Sequence, residues 1–215
     1  PYPRPDAVLK VTGKALYSDD FTFPGMLHAR TLRAKHPHAR ILKIDTSKAK
    51  ALAGVHAVLT ADDVPGEKNH GLVIQDWPAL AVDKVRYIGD PVAIVAADTR
   101  EIASAALDLI DVDYEVLPVV SDPVQAHQPD APLVMESGNL LKHIKVRKGD
   151  MDQGFAEADI VLEETFHTPS YDHAFLEPEC SIGRIDADGR YEIIVGSQIP
   201  YQDRSQVARC LGLSE

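Results

Sequence analysis

Strands and helices that follow one another in irregular order predict an α+β fold, and three stretches carry that reading. The run Pro91-Val92-Ala93-Ile94-Val95-Ala96-Ala97 is continuously apolar and bounded by turn residues, as a strand buried on both faces is. Directly after it, Asp98 and Glu101 match a helix-start capping pattern, and Ile102, Ala105, Ala106, Leu109 and Ile110 recur at helical spacing. Then Val112, Tyr114 and Val116 alternate with acidic residues, the mark of a strand with one wet face.

The remaining elements fall around these three. After an opening tail, residues 26–32 and 41–45 read as strands separated by the turn-prone His36-Pro37-His38. Thr46 or Ser47 caps a short helix that Gly54 stops, and 55–59 is a further strand. Thr60-Ala61-Asp62-Asp63 opens one more helical turn, ended by Pro65-Gly66. From 121 to 139 the composition shifts to Pro, Asp, Gln, His and Gly, which reads as a connection. A second unit begins near Val146, with a short helix over 153–158 and a β-rich run over 160–167. A hairpin then turns at Asp188-Gly189, and Pro200 starts a helix in which Arg204, Val207, Ala208 and Leu211 share a face. Gly212 is its stop. The expected organisation is thus 6–120, a connecting segment 121–145, and an unfinished unit 146–215.

Bulk chemistry removes several function classes. A formal charge of −11, with Lys and Arg scattered singly, disfavours a nucleic-acid partner, because phosphates repel an acidic face. No window approaches the roughly 20 apolar residues of a membrane span, and the start is not a signal h-region, so the cytoplasm is the expected location. Pro1 in place of an initiator Met leaves room for an upstream segment. Cys180 and Cys210 stand far apart and are expected as buried free thiols. An iron–sulfur cluster needs about four thiolates, so one would have to sit on another domain or chain.

Candidate chemistry is sparse. His36-x-His38, and His167 with Asp172, His173, Glu177 and Glu179, have loose metal-ligand spacing, but a turn and a structural role are the simpler readings. Asp19-Asp20 and Asp62-Asp63 suit turns and helix starts. No phosphate-binding glycine loop or nucleophile elbow is present. His173-Ala174-Phe175-Leu176-Glu177-Pro178 places a carboxylate in an apolar run, where it needs a partner.

Ordered motifs then resemble one family. Lys10-Val11-Thr12-Gly13-Lys14-Ala15 and Tyr17-x-Asp19-Asp20 resemble the opening of the large subunit of xanthine dehydrogenase and aldehyde oxidase type molybdenum hydroxylases. Pro37-His38-Ala39-Arg40-Ile41, Val58-Leu59-Thr60-Ala61-Asp62-Asp63-Val64-Pro65-Gly66 and Arg86-Tyr87-Ile88-Gly89-Asp90-Pro91-Val92-Ala93 are similar to that family's α/β hammerhead domain. Gly149-Asp150, the 173–178 motif, Ser197-Gln198 and Val207-Ala208-x-x-Leu211-Gly212 resemble the beginning of its molybdenum-cofactor-binding domain.

The resemblance implies hydroxylation of a purine, another N-heterocycle or an aldehyde at a molybdenum cofactor (molybdopterin). It implies iron–sulfur clusters, and FAD or another electron acceptor, on partner domains or subunits, so the functional unit is expected to be a heteromer completed by the remainder of the molybdopterin-binding subunit. It assigns one cofactor-facing residue, Gln198, an amide that donates to an oxygen ligand without adding charge beside an anionic group. Two departures stand out. Tyr171-Asp172 replaces the family's usual Gln-Glu, and the Gly-Gly-Gly-Phe-Gly loop and base glutamate have no counterpart. No catalytic residue is therefore assigned, and the chain alone is expected to be inactive. The alternative is a non-catalytic hammerhead module that serves as a docking surface.

Overall fold

The computed structural model describes residues 2–175 and 179–215. Helix α1 (Ala7–Val11) and a 3-10 turn at Ser18–Asp20 precede strands β1 (His28–Arg33) and β2 (Ala39–Asp45). Helix α2 (Ser47–Lys50) leads to β3 (Val55–Leu59) and a second 3-10 turn, Ala61–Asp63. Short strands β4 (Asn69–His70), β5 (Trp77–Pro78) and β6 (Lys84–Val85) come before β7 (Pro91–Ala97), α3 (Arg100–Leu107) and β8 (Asp111–Val116). Two short helices follow, α4 (Pro123–Ala126) and α5 (Met151–Glu157), then the hairpin β9 (Ser181–Ile185) and β10 (Tyr191–Val195), and finally α6 (Pro200–Leu211).

Two antiparallel sheets form the main body, in strand orders β1-β7-β3 and β6-β2-β8. The apolar run of β7 explains how they share a core. Side chains alternate across a strand, so Ala93, Val95 and Ala97 join Ala49, Ala103 and Ala106 in one cluster, while Val92 joins Ala34, Ala39, Ala81 and Val85 in the other. Val92 and Val95 are both fully buried, as a strand covered on two faces requires.

Helix α3 shows a one-residue correction. Thr99, not Asp98, is the N-cap: its side chain accepts the Ile102 N–H at 3.2 Å. Asp98 instead faces His56, its Oδ1 2.7 Å from Nε2. Of the expected stripe, Ala106 and Ile110 are buried and Ile102 and Leu109 pack against the same cluster, while Ala105 is exposed and Ala103 is buried instead; Leu109 and Ile110 lie just beyond the last helical residue.

The motif around Gly89 is a structural turn. Gly89 has φ +97°, a left-handed conformation that glycine adopts without strain. Its N–H bonds the Ala34 carbonyl at 2.9 Å, and the Ala34 N–H bonds the Asp90 carbonyl at 2.8 Å. The Asp90 side chain, 1% exposed, accepts the Arg86 N–H at 2.9 Å and closes the turn.

In the second unit α5 begins at Met151, capped by Asp150, whose carboxylate accepts the Gln153 N–H at 3.0 Å. The hairpin forms at Asp188-Gly189 with φ +79° at Gly189, and Asp186 gathers the Asp188 and Arg190 N–H groups at 2.9 Å each. Those bonds, the Arg190 N–H first, hold the Asp186 carboxyl below its ordinary pKa. The β-rich run at 160–167 forms no strand. Its Ile160, Leu162 and Phe166 are strongly exposed, and among the described residues no neighbouring strand supplies the ladder that β propensity alone cannot replace. Both cysteines are half-buried rather than buried, and both are free. No helix among the described residues is long and apolar enough to cross a membrane.

Candidate functional site

Gln198 sits in the four-residue link between β10 and α6, and the sequence around it makes that link stiff. The Ser197 hydroxyl accepts the Ile199 N–H at 3.0 Å and donates to the Asp203 carboxylate in the first turn of α6. Pro200 occupies the first helical position, where a missing N–H costs nothing. Backbone is therefore tied down on both sides of Gln198. Its side chain is exposed, and among the described residues its carboxamide takes no protein hydrogen-bond partner.

The far end of α6 is tied to the first body of the structure. Gly212 adopts φ +67° and ends the helix, with the Leu213 N–H returning to the Ala208 carbonyl at 2.8 Å. The next two carbonyls, Arg209 and Cys210, accept the Glu67 N–H at 3.0 Å and the Gly66 N–H at 2.9 Å. Midway along the helix, the Gln206 side-chain oxygen accepts the Gly71 N–H at 3.0 Å. Burial, with Glu67 nearby, pushes the Cys210 thiol pKa up, so this thiol is poorly reactive. A second tie runs from the hairpin. Arg184, ion-paired across the strands to Glu192, lies 4.4 Å above the Phe23 ring.

The other sequence candidates separate. His36 packs edge-on to Tyr114 with centroids 5.1 Å apart, whereas His38 is buried with its Nδ1 2.7 Å from the Pro118 carbonyl. They do not face a common point. His173 stacks on Phe175 at 5.3 Å. Leu176, Glu177 and Pro178 of the same motif lie outside the described residues. Among the described residues no three His, Cys, Asp or Glu side chains converge as a cation's donor set. Asp63 caps its turn through the Thr60 N–H at 2.8 Å, Asp20 does the same with the Tyr17 N–H at 2.9 Å, and Asp19 pairs with Arg100.

Nothing in the sequence announces the attachment of α6 to residues 66–71. Pro65-Gly66 carries a visible turn signal, but nothing local tells which distant carbonyls the glycine will face. Gln206 carries no signal at all, being one polar residue on an amphipathic helix.

Comparison with known proteins converges on one family. The profile of the aldehyde oxidase and xanthine dehydrogenase a/b hammerhead domain matches residues 12–118, and that of the molybdopterin cofactor-binding domain matches 134–215. A probable xanthine dehydrogenase subunit of Bacillus subtilis is 44% identical over 212 residues, which is 99% of this chain and 28% of that protein. The nicotinate dehydrogenase large molybdopterin subunit of Eubacterium barkeri is 40% identical over 97% of this chain and 49% of its own length. In three dimensions the aldehyde oxidoreductase of Desulfovibrio desulfuricans superposes with a TM-score of 0.88 at 32% identity, covering 99% of this chain and 25% of that one. The chain thus spans between a quarter and a half of these relatives. On its hammerhead, its cofactor-domain residues and these likenesses, the chain belongs to the aldehyde oxidase and xanthine dehydrogenase family of molybdenum hydroxylases.

Proposed function

We propose that the chain is part of the molybdopterin-binding subunit of an oxidoreductase that hydroxylates a purine, another N-heterocycle or an aldehyde. In this reading residues 6–120 are the hammerhead, 121–145 the connection and 146–215 cofactor-domain residues. The observation that carries it is Gln198, an uncharged donor held between two fixed elements with its carboxamide left exposed. A rigid link lets such a side chain be aimed at a ligand with little loss of entropy.

The donor chemistry fits the group. Nε2 of Gln198 donates a hydrogen bond and brings no charge, which suits a neighbour that is itself anionic. Ser197 and Asp203 hold the peptide from which it projects. The molybdenum cofactor, when bound, would supply oxidation of an electron-poor carbon, with iron–sulfur groups and a flavin or other acceptor expected on partner domains or subunits. Two of the relatives are named for xanthine and nicotinate, both N-heterocycles. These names support an N-heterocycle, and the likeness to an aldehyde oxidoreductase supports an aldehyde.

The test is the enzyme containing this chain, assayed for molybdenum and for turnover of xanthine, nicotinate and benzaldehyde. Stoichiometric molybdenum with turnover of at least one of them is expected. Full molybdenum loading with no turnover of any of the three would overturn the substrate assignment, and absence of molybdenum would overturn the reading itself.

A further inference from the structure

The link that carries Gln198 is anchored on the strand side by the hairpin and on the helix side by α6, a rod of 12 residues. A rod holds its tip still only if its other end is fixed. On its own, α6 leaves its last carbonyls without intrahelical partners, as every helix does. Here the hammerhead adds two donors, the Gly66 N–H to the Cys210 carbonyl and the Glu67 N–H to the Arg209 carbonyl, which also accepts the Gly212 N–H, and Gln206 adds a third tie from the helix to the Gly71 N–H.

Gly66 is required for this contact. A Cβ at position 66 would fall within van der Waals overlap of the Arg209 carbonyl oxygen and of the Gly212 N–H. The two glycines therefore face each other at the point where the units meet, Gly212 to end the helix and Gly66 to let the loop approach it. Gly71 is equally confined: its φ is +152° and a Cβ there would overlap the Ile74 carbonyl. The Gly71 N–H is thus presented to Gln206 by a loop with little freedom.

We propose that Gly66 and Gln206 are positioning residues for Gln198: the 66–71 loop of the hammerhead caps α6 and so sets where the cofactor-facing amide stands. This gives the hammerhead a role in the reaction that does not depend on its touching substrate. The inference rests on the proposed role of Gln198, and its test separates the two.

Hydrogen exchange of the full chain is followed in the segment 198–204 for wild type, Gln206→Ala, Gln206→Glu and Gly66→Ala. Glutamate keeps an oxygen for the Gly71 N–H, so it is the rescue variant. Gln206→Ala is expected to speed exchange across 198–204 by about threefold to tenfold, the scale of one net hydrogen bond, with Gln206→Glu near wild type and Gly66→Ala faster still. In the assembled enzyme, the molybdenum(V) spectrum of Gln206→Ala should move toward that of Gln198→Ala, and kcat should fall with KM unchanged. Faster exchange confined to 66–71, with 198–204 unchanged, overturns the proposal even if Gly66→Ala fails to fold. Faster exchange at 198–204 together with an unaltered Gln198→Ala enzyme upholds the anchoring and removes the role of Gln198.

Discussion

Asp90 offers the sharpest test of how the hammerhead turn is held. The residue is 1% exposed, its Oδ2 accepts the Arg86 N–H at 2.9 Å, and among the described residues its Oδ1 has no partner. Burial raises its pKa above the ordinary 3.8, against the smaller opposing pull of the Arg86 N–H and guanidinium. Asp90→Ala strips the acceptor from a part-buried N–H and is expected to cost about 1–3 kcal/mol. Asp90→Asn keeps an acceptor and never ionises. Because the carboxyl ionises more readily in the unfolded chain, wild-type stability falls as pH rises from 3.8 through the higher folded pKa, and stays lowered at neutral pH. Asp90→Asn escapes that loss. Urea unfolding should therefore show Asp90→Asn more stable than wild type at pH 7, with the gain vanishing below about pH 4 as both forms become neutral. An asparagine variant less stable than wild type at pH 7, or a gain independent of pH, would refute the reasoning.

Val95 lies fully buried in the central strand β7, so Val95→Ala removes two methyl groups' worth of packing and should cost about 2–3 kcal/mol in urea unfolding, transfer and cavity contributions together. A loss well under 1 kcal/mol would mean that the cluster shared with Ala49, Ala103 and Ala106 is not built on this strand. Thr99→Ala should cost about 1 kcal/mol as the lost N-cap of α3, whereas Asp98→Ala, which gives up an exposed contact with His56, should cost less than about 0.5 kcal/mol. The reverse ranking would return the cap to Asp98.

How far the sequence speaks depends on whether a signal is local. The strand at 91–97 is legible because an apolar run bounded by turn residues says both what it is and that it is buried. The Asp188-Gly189 hairpin and the start and stop of α6 are legible for the same reason, since Pro200 and Gly212 act on their own neighbours. The cap of α3 moves by one residue because Asp98 and Thr99 are both good caps, and the choice falls to His56, a contact 42 positions away. Residues 160–167 depart from their pattern because a β-branched and aromatic stretch states a preference, while a strand needs a partner. At the candidate site, Ser197-Gln198 is found by resemblance alone. The tie from Gly66 and Gln206 is invisible, because it joins residues more than 130 positions apart: the turn signal at Pro65-Gly66 does not say what the loop will face, and Gln206 carries no pattern.

The most direct measurement of the central claim is the reductive half-reaction of the enzyme containing this chain, followed by stopped flow for wild type and Gln198→Ala at equal molybdenum content. If Gln198 donates to the cofactor, its removal should leave unfolding unchanged and slow reduction by about tenfold to a thousandfold, the scale for losing one positioned donor. Equal rates for the two proteins at full molybdenum occupancy would contradict the assignment and leave Gln198 a residue of the β10–α6 link alone.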